Sequence, residues 1–187
     1  MDISKFMERL AADPVYLVAQ ILGVIAVIFT FLSYQGKTQR KLIIVQSIAT
    51  VVFSVHYLML GAIAGAVLNL VCIGRNFIYC NRQIKLFASK YVPYGLALLI
   101  GALGALSWQG IPTLLLIVAL MINTVIMSMD DAQLLRKSIL LTSSMILAYD
   151  IIIISVGGSI NESIAIISSV IGIIRYRKAL NDAKREI

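Results

Sequence analysis

Three ionisable side chains lie within or beside long apolar stretches of this chain: His56, Asp150 and Glu162. In a bilayer such a group costs about 2.5–3.5 kcal/mol at the helix centre, so it usually faces a protein interior or water. There it can exchange a proton or bind a polar molecule. We predict a binding role for Asp150 and a role in gating or proton coupling for His56 and Glu162. Two structural roles stay open: Glu162 starting a helix, and His56 as a hydrogen-bonded histidine near the interface.

Three uncharged polar residues join these candidates. Tyr57 follows His56 directly, and Asn69 and Asn123 interrupt two other apolar stretches. A side-chain amide in hydrocarbon needs several hydrogen-bond partners, which a second helix or a polar ligand can supply. We predict that Tyr57, Asn69, Asn123 and Asp150 contact a substrate.

Catalytic and metal-binding patterns are not found in the sequence. The chain has one histidine, and it has no GxSxG, phosphate-loop or CxxC motif. Cys72 and Cys80 stand about 12 Å apart along one predicted helix, too far for a disulfide. We therefore expect neither an enzyme nor a bound metal or cofactor.

Seven apolar segments would carry these residues. The chain is 60% hydrophobic, with a mean hydropathy of +0.94, which is typical of a protein with several membrane helices. About 17–25 apolar residues cross a bilayer as a helix. The predicted spans are Val15–Tyr34, Lys41–Leu60, Gly65–Arg82, Tyr91–Ser107, Pro112–Met129, Ser138–Val156 and Ile160–Tyr176.

The basic residues predict the orientation of these segments. Of the 16 lysines and arginines, 13 fall on one side of the predicted bilayer and two on the other, while Arg75 lies within the third segment. The richer side is cytoplasmic by the positive-inside rule, so the N-terminus is expected outside and the C-terminus inside. Arg75 is expected to extend towards the cytoplasmic interface. The net charge of +7 then reflects contact with an anionic lipid leaflet, and we expect no nucleic-acid partner.

The segments group into predicted units. Residues 1–14 form an amphipathic interfacial helix that stops at Asp13–Pro14, or a frayed terminus. A first three-helix unit covers 15–82, a linker with the fourth segment covers 83–107, a second unit covers 108–178, and residues 179–187 form a basic cytoplasmic tail.

The two three-helix units align as a repeat. HYLMLGAIAGAVLN from His56 aligns without a gap on YDIIIISVGGSINE from Tyr149, which pairs Tyr57 with Asp150 and Asn69 with Glu162. The fourth segment restores the orientation, so the fold predicted is all-α, with two parallel three-helix repeats facing each other. Equivalent positions meet across such an axis, so we expect Asp150 to face the interior near Tyr57 or His56.

This 3+1+3 order resembles the SWEET sugar transporters and their PQ-loop relatives. Tyr34–Gln35 stands where those families carry Pro–Gln, Tyr57 and Gly61 match an aromatic–glycine turn, and Asn69 matches a pore-facing asparagine. The resemblance implies a transporter that moves a small polar solute by rocking two bundles.

A second resemblance is to the Imp-YgjV family of bacterial inner-membrane proteins. It is carried by YLVAQILGVIA at Tyr16, by VHYLMLGAIAGAVLN at Val55 and by SVGGSINE and GIIRYRK near the C-terminus. This resemblance implies a multi-pass protein of the bacterial cytoplasmic membrane. We predict a small-solute transporter; the alternative is a non-transporting scaffold, assembly factor or lipid-binding protein. The sequence leaves open whether the protein forms a homo-oligomer.

Overall fold

The computed structural model describes residues 3–33, 39–129 and 131–185, and these residues are helical apart from short turns. The prediction for Tyr34–Gln35 lies outside the described residues. The described residues form eight helices in this order: α1 (Ile3–Ala12), α2 (Pro14–Ser33), α3 (Gln39–Met59), α4 (Ile63–Cys80), α5 (Val92–Leu106), α6 (Ile111–Met127), α7 (Ala132–Ile152) and α8 (Val156–Arg185).

Three of these helices contain stretches that are long and apolar enough to cross a bilayer: Pro14–Leu32, Ile63–Cys80 and Val156–Lys178. Shorter apolar stretches are Ile44–Met59, Val92–Leu106 and Ile111–Met127. Large apolar side chains project outward, with Leu106 84% and Ile111 78% exposed. The described part of the chain is thus all-helical, with several apolar helices, and the count of seven spans stays a prediction.

Local chemistry explains where several helices begin. The Asp13 carboxylate accepts hydrogen bonds from the backbone N–H groups of Val15 and Tyr16, at 2.9 and 3.2 Å, and so caps α2. Asp131 caps α7 in the same way through Gln133 and Leu134. The helix Ile3–Ala12 ends just before Asp13–Pro14, where the sequence predicted a stop.

Helices that follow each other in the chain form two sets. Helix α3 packs between α2 and α4, and α7 packs between α6 and α8. Across the two sets, α2 packs against α8 and α4 against α6, while α5 contacts α4 and α6. The buried core includes Phe53, Tyr57, Leu68, Ile100 and Tyr149.

The predicted break between the last two apolar segments is wrong by several residues. The predicted spans leave residues 157–159, with Gly157 and Gly158, as the break, but both glycines belong to α8 and the turn covers 153–155. The glycines are needed for packing, because a Cβ at Gly157 would collide with the Gly23 backbone. The turn instead places Ile154 at φ 58°, a left-handed conformation that is rare for a β-branched residue.

The α3–α4 and α7–α8 turns share one backbone geometry. Gly61, at φ 74°, aligns with Ile154 in the predicted repeat. The Ala62 N–H donates to the Tyr57 carbonyl at 2.8 Å, and the Ser155 N–H donates to the Asp150 carbonyl at the same distance. Both turns therefore end a helix with the left-handed residue and the six-to-one hydrogen bond of a Schellman motif.

Candidate functional site

The α3–α4 and α7–α8 turns and the helix ends beside them form what we call the two-turn end of the molecule. Tyr57 comes from α3 and Asp150 from α7, and the Tyr57 hydroxyl donates a 2.8 Å hydrogen bond to Asp150 Oδ1. Asp150 is 0% and Tyr57 6% exposed. The predicted proximity of these two residues is confirmed, while a binding role for them stays a prediction.

The second carboxyl oxygen of Asp150 has a different environment. Oδ2 is buried and has no hydrogen-bond partner among the described residues. A buried polar atom without a partner typically costs about 1–3 kcal/mol, so a native structure that keeps one needs a reason. Two such reasons are that the carboxyl group binds and releases a proton, or that a polar ligand binds to this oxygen.

Glycines allow this close packing. A Cβ at Gly158 would lie 2.5 Å from Asp150 Cγ, and one at Gly65 would lie 3.0 Å from the Tyr57 ring. These two glycines occupy aligned positions of the predicted repeat. The Gly65 backbone N–H donates a hydrogen bond to the hydroxyl of Tyr149, which is 2% exposed.

His56 is fully buried and belongs to a separate hydrogen-bond chain. Its Nδ1 lies 2.6 Å from the Ala19 carbonyl, which can only accept, so Nδ1 carries the proton. Its Nε2 lies 2.8 Å from Ser155 Oγ, and that hydroxyl accepts from the Gly158 N–H at 3.1 Å. The Ser155 proton is therefore free to point at Nε2, and the geometry favours the neutral Nδ1–H tautomer.

Two glutamines that the sequence analysis missed bind the two turns. Gln20, on α2, donates from Nε2 to the Ile154 carbonyl at 2.7 Å and accepts from the Val156 N–H at 3.1 Å. Gln109, just before α6, donates to the Gly61 carbonyl at 2.7 Å and accepts from the Ala64 N–H at 3.1 Å. Each set of helices thus supplies a glutamine to the turn of the other set.

A signal for one of these glutamines was present in the sequence. Gln20 is the one strongly polar side chain within the first apolar segment, and a buried amide needs partners. Gln109 stands in a Ser-Trp-Gln-Gly loop, where a polar residue is ordinary. No feature of the neighbouring sequence distinguishes Gln109 from an ordinary loop residue.

The structural role left open for Glu162, starting the last helix, is wrong. Because α8 begins at Val156, Glu162 lies nearly two turns inside it and is partly buried. Its carboxylate accepts from the Asn161 side chain at 2.9 Å and from Ser143. It lies on the Gly158 face of α8, one turn further along, within electrostatic range of Asp150.

The two predicted asparagines, Asn69 and Asn123, lie on α4 and α6 and are both partly buried. Asn69 Nδ2 donates to the carbonyl of Gly65 in its own helix at 2.9 Å. No hydrogen bond among the described residues joins either asparagine to Asp150.

Arg75 does not extend to the interface, contrary to prediction. It is 8% exposed, and its guanidinium donates to Asn76 Oδ1 at 3.2 and 3.0 Å and to Thr124 Oγ1 at 3.2 Å. The side chain turns towards α6, where polar partners exist inside the protein. It therefore links α4 to α6.

The apolar helices, their lipid-facing surface and this enclosed polar site define an α-helical membrane protein. The chain belongs to the Imp-YgjV family of bacterial inner membrane proteins, whose family model matches residues 17–179. No curated protein and no solved structure matches the chain. The family places the protein in the bacterial inner membrane.

Proposed function

We propose that this protein is a carrier of a small polar solute, with a binding site between two three-helix bundles. The observation that supports it best is the Tyr57–Asp150 hydrogen bond, which joins α3 to α7 and leaves Asp150 Oδ2 without a partner among the described residues. A buried carboxyl group of this kind in a membrane protein typically serves a substrate or a proton.

The proposed bundles are α2–α4 and α6–α8, with α5 outside them. Three features support this repeat: the aligned left-handed residues at the two turns, the glutamine that each bundle supplies to the other, and the matching α2–α8 and α4–α6 contacts. Transporters built from parallel repeats place their substrate site at the interface between the repeats.

The two-turn end is the proposed outer gate, closed in this conformation. Opening would separate Tyr57 from Asp150 and release the turns from Gln20 and Gln109. An enclosed carboxyl group with one donor is more stable neutral than charged, so Asp150 would exchange a proton when the gate opens. His56 and Glu162 would act in gating or proton coupling, and Asn69 and Asn123 would contact the solute. The roles proposed for these four residues rest on the sequence alone.

Reporter fusions test the orientation that this gate requires. A reporter after Lys85 or Arg136 should read cytoplasmic, and one in the turn near Gly158, which the structure places at 153–155, should read external. The fusion predicted after Lys37 falls at a position outside the described residues and should also read cytoplasmic. One reversed reporter would contradict the seven-span topology.

Transport can be tested with the purified protein. A thermal-shift screen against sugars, amino acids and vitamins identifies a solute, because a ligand that binds the folded state stabilises it. Uptake into proteoliposomes is then measured over a range of pH, with Asp150→Asn as the variant and the exposed Asp131→Asn as its control. We expect uptake to lose its pH dependence in Asp150→Asn alone.

The non-transporting alternative makes a different prediction for the same experiments. A scaffold, assembly factor or lipid-binding protein would show no solute-dependent stabilisation and no uptake. Unchanged pH dependence in Asp150→Asn would remove that residue from the proposed site.

A further inference from the structure

A groove between α7 and α8 lies near the start of α7 and beside the middle of α8, away from the two-turn end. Its volume is about 550 Å³, and its lining consists of Arg136, Ser168, Ile171, Gly172, Arg175 and Tyr176. The two helices run antiparallel, because Gly158 faces Asp150 and Gly172 faces Arg136. Fourteen residues separate the two contacts on each helix, which is about 21 Å at 1.5 Å per residue.

The position of the groove follows from that length. A hydrocarbon core is about 30 Å thick, so a groove about 21 Å from the enclosed carboxyl group lies near the opposite interface. In the proposed orientation this is the cytoplasmic leaflet. Its anionic lipids attract basic groups there.

Gly172 makes room for one of the two arginines. A Cβ at this position would lie 2.8 Å from Arg136 Nε, so a larger residue would push the guanidinium out of the groove. Arg136 is partly buried, whereas Arg175 is exposed on the rim. Neither forms a hydrogen bond or an ion pair with any side chain that the structure describes.

Two guanidinium groups at one groove repel each other unless an anion lies between them. Phosphate oxygens suit guanidinium groups, because they accept two parallel hydrogen bonds from each. Ser168 and Tyr176 line the same groove, and each carries a hydroxyl that can donate a further hydrogen bond. The donor set therefore fits a phosphate group.

An apolar stripe beside the groove indicates what carries that phosphate. Ile167, Ile171 and Ile174 are 59%, 44% and 59% exposed and recur at i, i+4 and i+7 along α8. Acyl chains fit such a stripe, whereas a free phosphate ion would not use it. We propose that the α7–α8 groove binds the phosphate group of an anionic phospholipid, a site that does not depend on transport.

Lipid titration of the purified protein in detergent micelles tests this site. The probes are phosphatidylglycerol, zwitterionic phosphatidylcholine and inorganic phosphate, and the readout is thermal unfolding followed by fluorescence of the single tryptophan. Phosphatidylglycerol should stabilise the protein, and the other two should not. Arg136→Gln and Arg175→Gln should each weaken phosphatidylglycerol binding about tenfold or more, because each removes a charge-assisted hydrogen bond.

Two further variants separate a built site from general attraction of basic residues. Arg177→Gln removes the same charge next to the groove without lining it, and its affinity should stay within about twofold of the parent. Gly172→Leu keeps every charge but fills the groove, and it should weaken binding. Equal loss in Arg177→Gln, or full affinity in Gly172→Leu, would overturn the groove as the site.

Inorganic phosphate distinguishes the source of the anion. If it stabilises the protein as well as the lipid does and loses its effect in Arg175→Gln, the assignment to a lipid is wrong. Because Arg175 is exposed, its replacement should leave folding intact, so the test holds even if Arg136→Gln does not fold.

Discussion

Replacing Tyr57 by phenylalanine removes the hydroxyl that donates a 2.8 Å hydrogen bond to Asp150 and keeps the packed ring. Both oxygens of the buried carboxyl group are then without a donor among the described residues. Such a loss typically costs about 1–3 kcal/mol. Interhelical hydrogen bonds in membranes average about 0.6 kcal/mol and reach about 1.7, so we expect the free energy of unfolding to fall by about 1–2 kcal/mol.

A double-mutant cycle isolates the pair from the rest of the site. Asp150→Ala removes the carboxyl group, and the cavity that it leaves is common to the single and the double variant. In that background Tyr57→Phe should cost almost nothing, because the hydroxyl has already lost its acceptor. The coupling energy should therefore equal the full cost of Tyr57→Phe in the parent, about 1–2 kcal/mol.

Equilibrium unfolding in detergent micelles measures this energy, with the fluorescence of the single tryptophan as the probe. Tyr94→Phe is the matched control, because Tyr94 lies on α5 and is 55% exposed. Its coupling to Asp150→Ala should be zero. A coupling between Tyr57 and Asp150 that is also zero, with both single variants destabilised, would refute the hydrogen bond across the two helix sets.

Further substitutions test the packing and the helix ends. Gly158→Ala should destabilise the protein by about 1–3 kcal/mol, because the new Cβ would lie 2.5 Å from the buried carboxyl carbon. In the control Gly74→Ala, the new Cβ has no atom within 4 Å, so this variant should stabilise the protein by about 0.5–1 kcal/mol. If the two variants change the thermal unfolding temperature by the same amount, the tight contact at Gly158 is contradicted. Gln20→Ala should cost about 1–3 kcal/mol in unfolding experiments, and the exposed Gln83→Ala should stay within about 0.5 kcal/mol; similar values would contradict the bonds to the turn. Hydrogen bonds from two backbone amides hold the pKa of Asp131 below its ordinary value, so its stabilisation is complete above the unfolded pKa of about 3.9 and is lost as the pH falls through the lower folded pKa. Asp131→Asn should flatten acid unfolding in that range, and an unchanged profile would contradict the cap.

Much of the helical structure could be predicted from local patterns. The Asp13–Pro14 stop, the turn at Gly61 and the apolar helices depend on residues that are neighbours in the chain. The contact between Tyr57 and Asp150 is a long-range feature, yet it was predicted from the alignment of two similar stretches. The similarity between the two stretches thus predicted a contact between distant helices, which the pattern within a single helix does not.

The remaining features of the site depend on contacts between distant helices. Two glycines next to each other usually indicate a turn. Gly157 and Gly158 lie in α8 instead, where the lack of a Cβ leaves room for the α2 backbone and the Asp150 carboxyl group. The turn moved to Ile154, whose left-handed backbone is held by Gln20 from α2. No rule that uses sequence neighbours alone predicts a turn at Ile154 in place of one at the two glycines.

The sequence by itself determined the class of environment and the helical content, because hydropathy and capping act over a few residues. The tertiary structure alone decided that Arg75 turns inward, that Gln20 and Gln109 each bind the opposite turn, and that Arg136 lies against Gly172. These outcomes depend on which buried partner satisfies each polar side chain. That partner comes from another helix far away in the chain, so only the packed structure selects it.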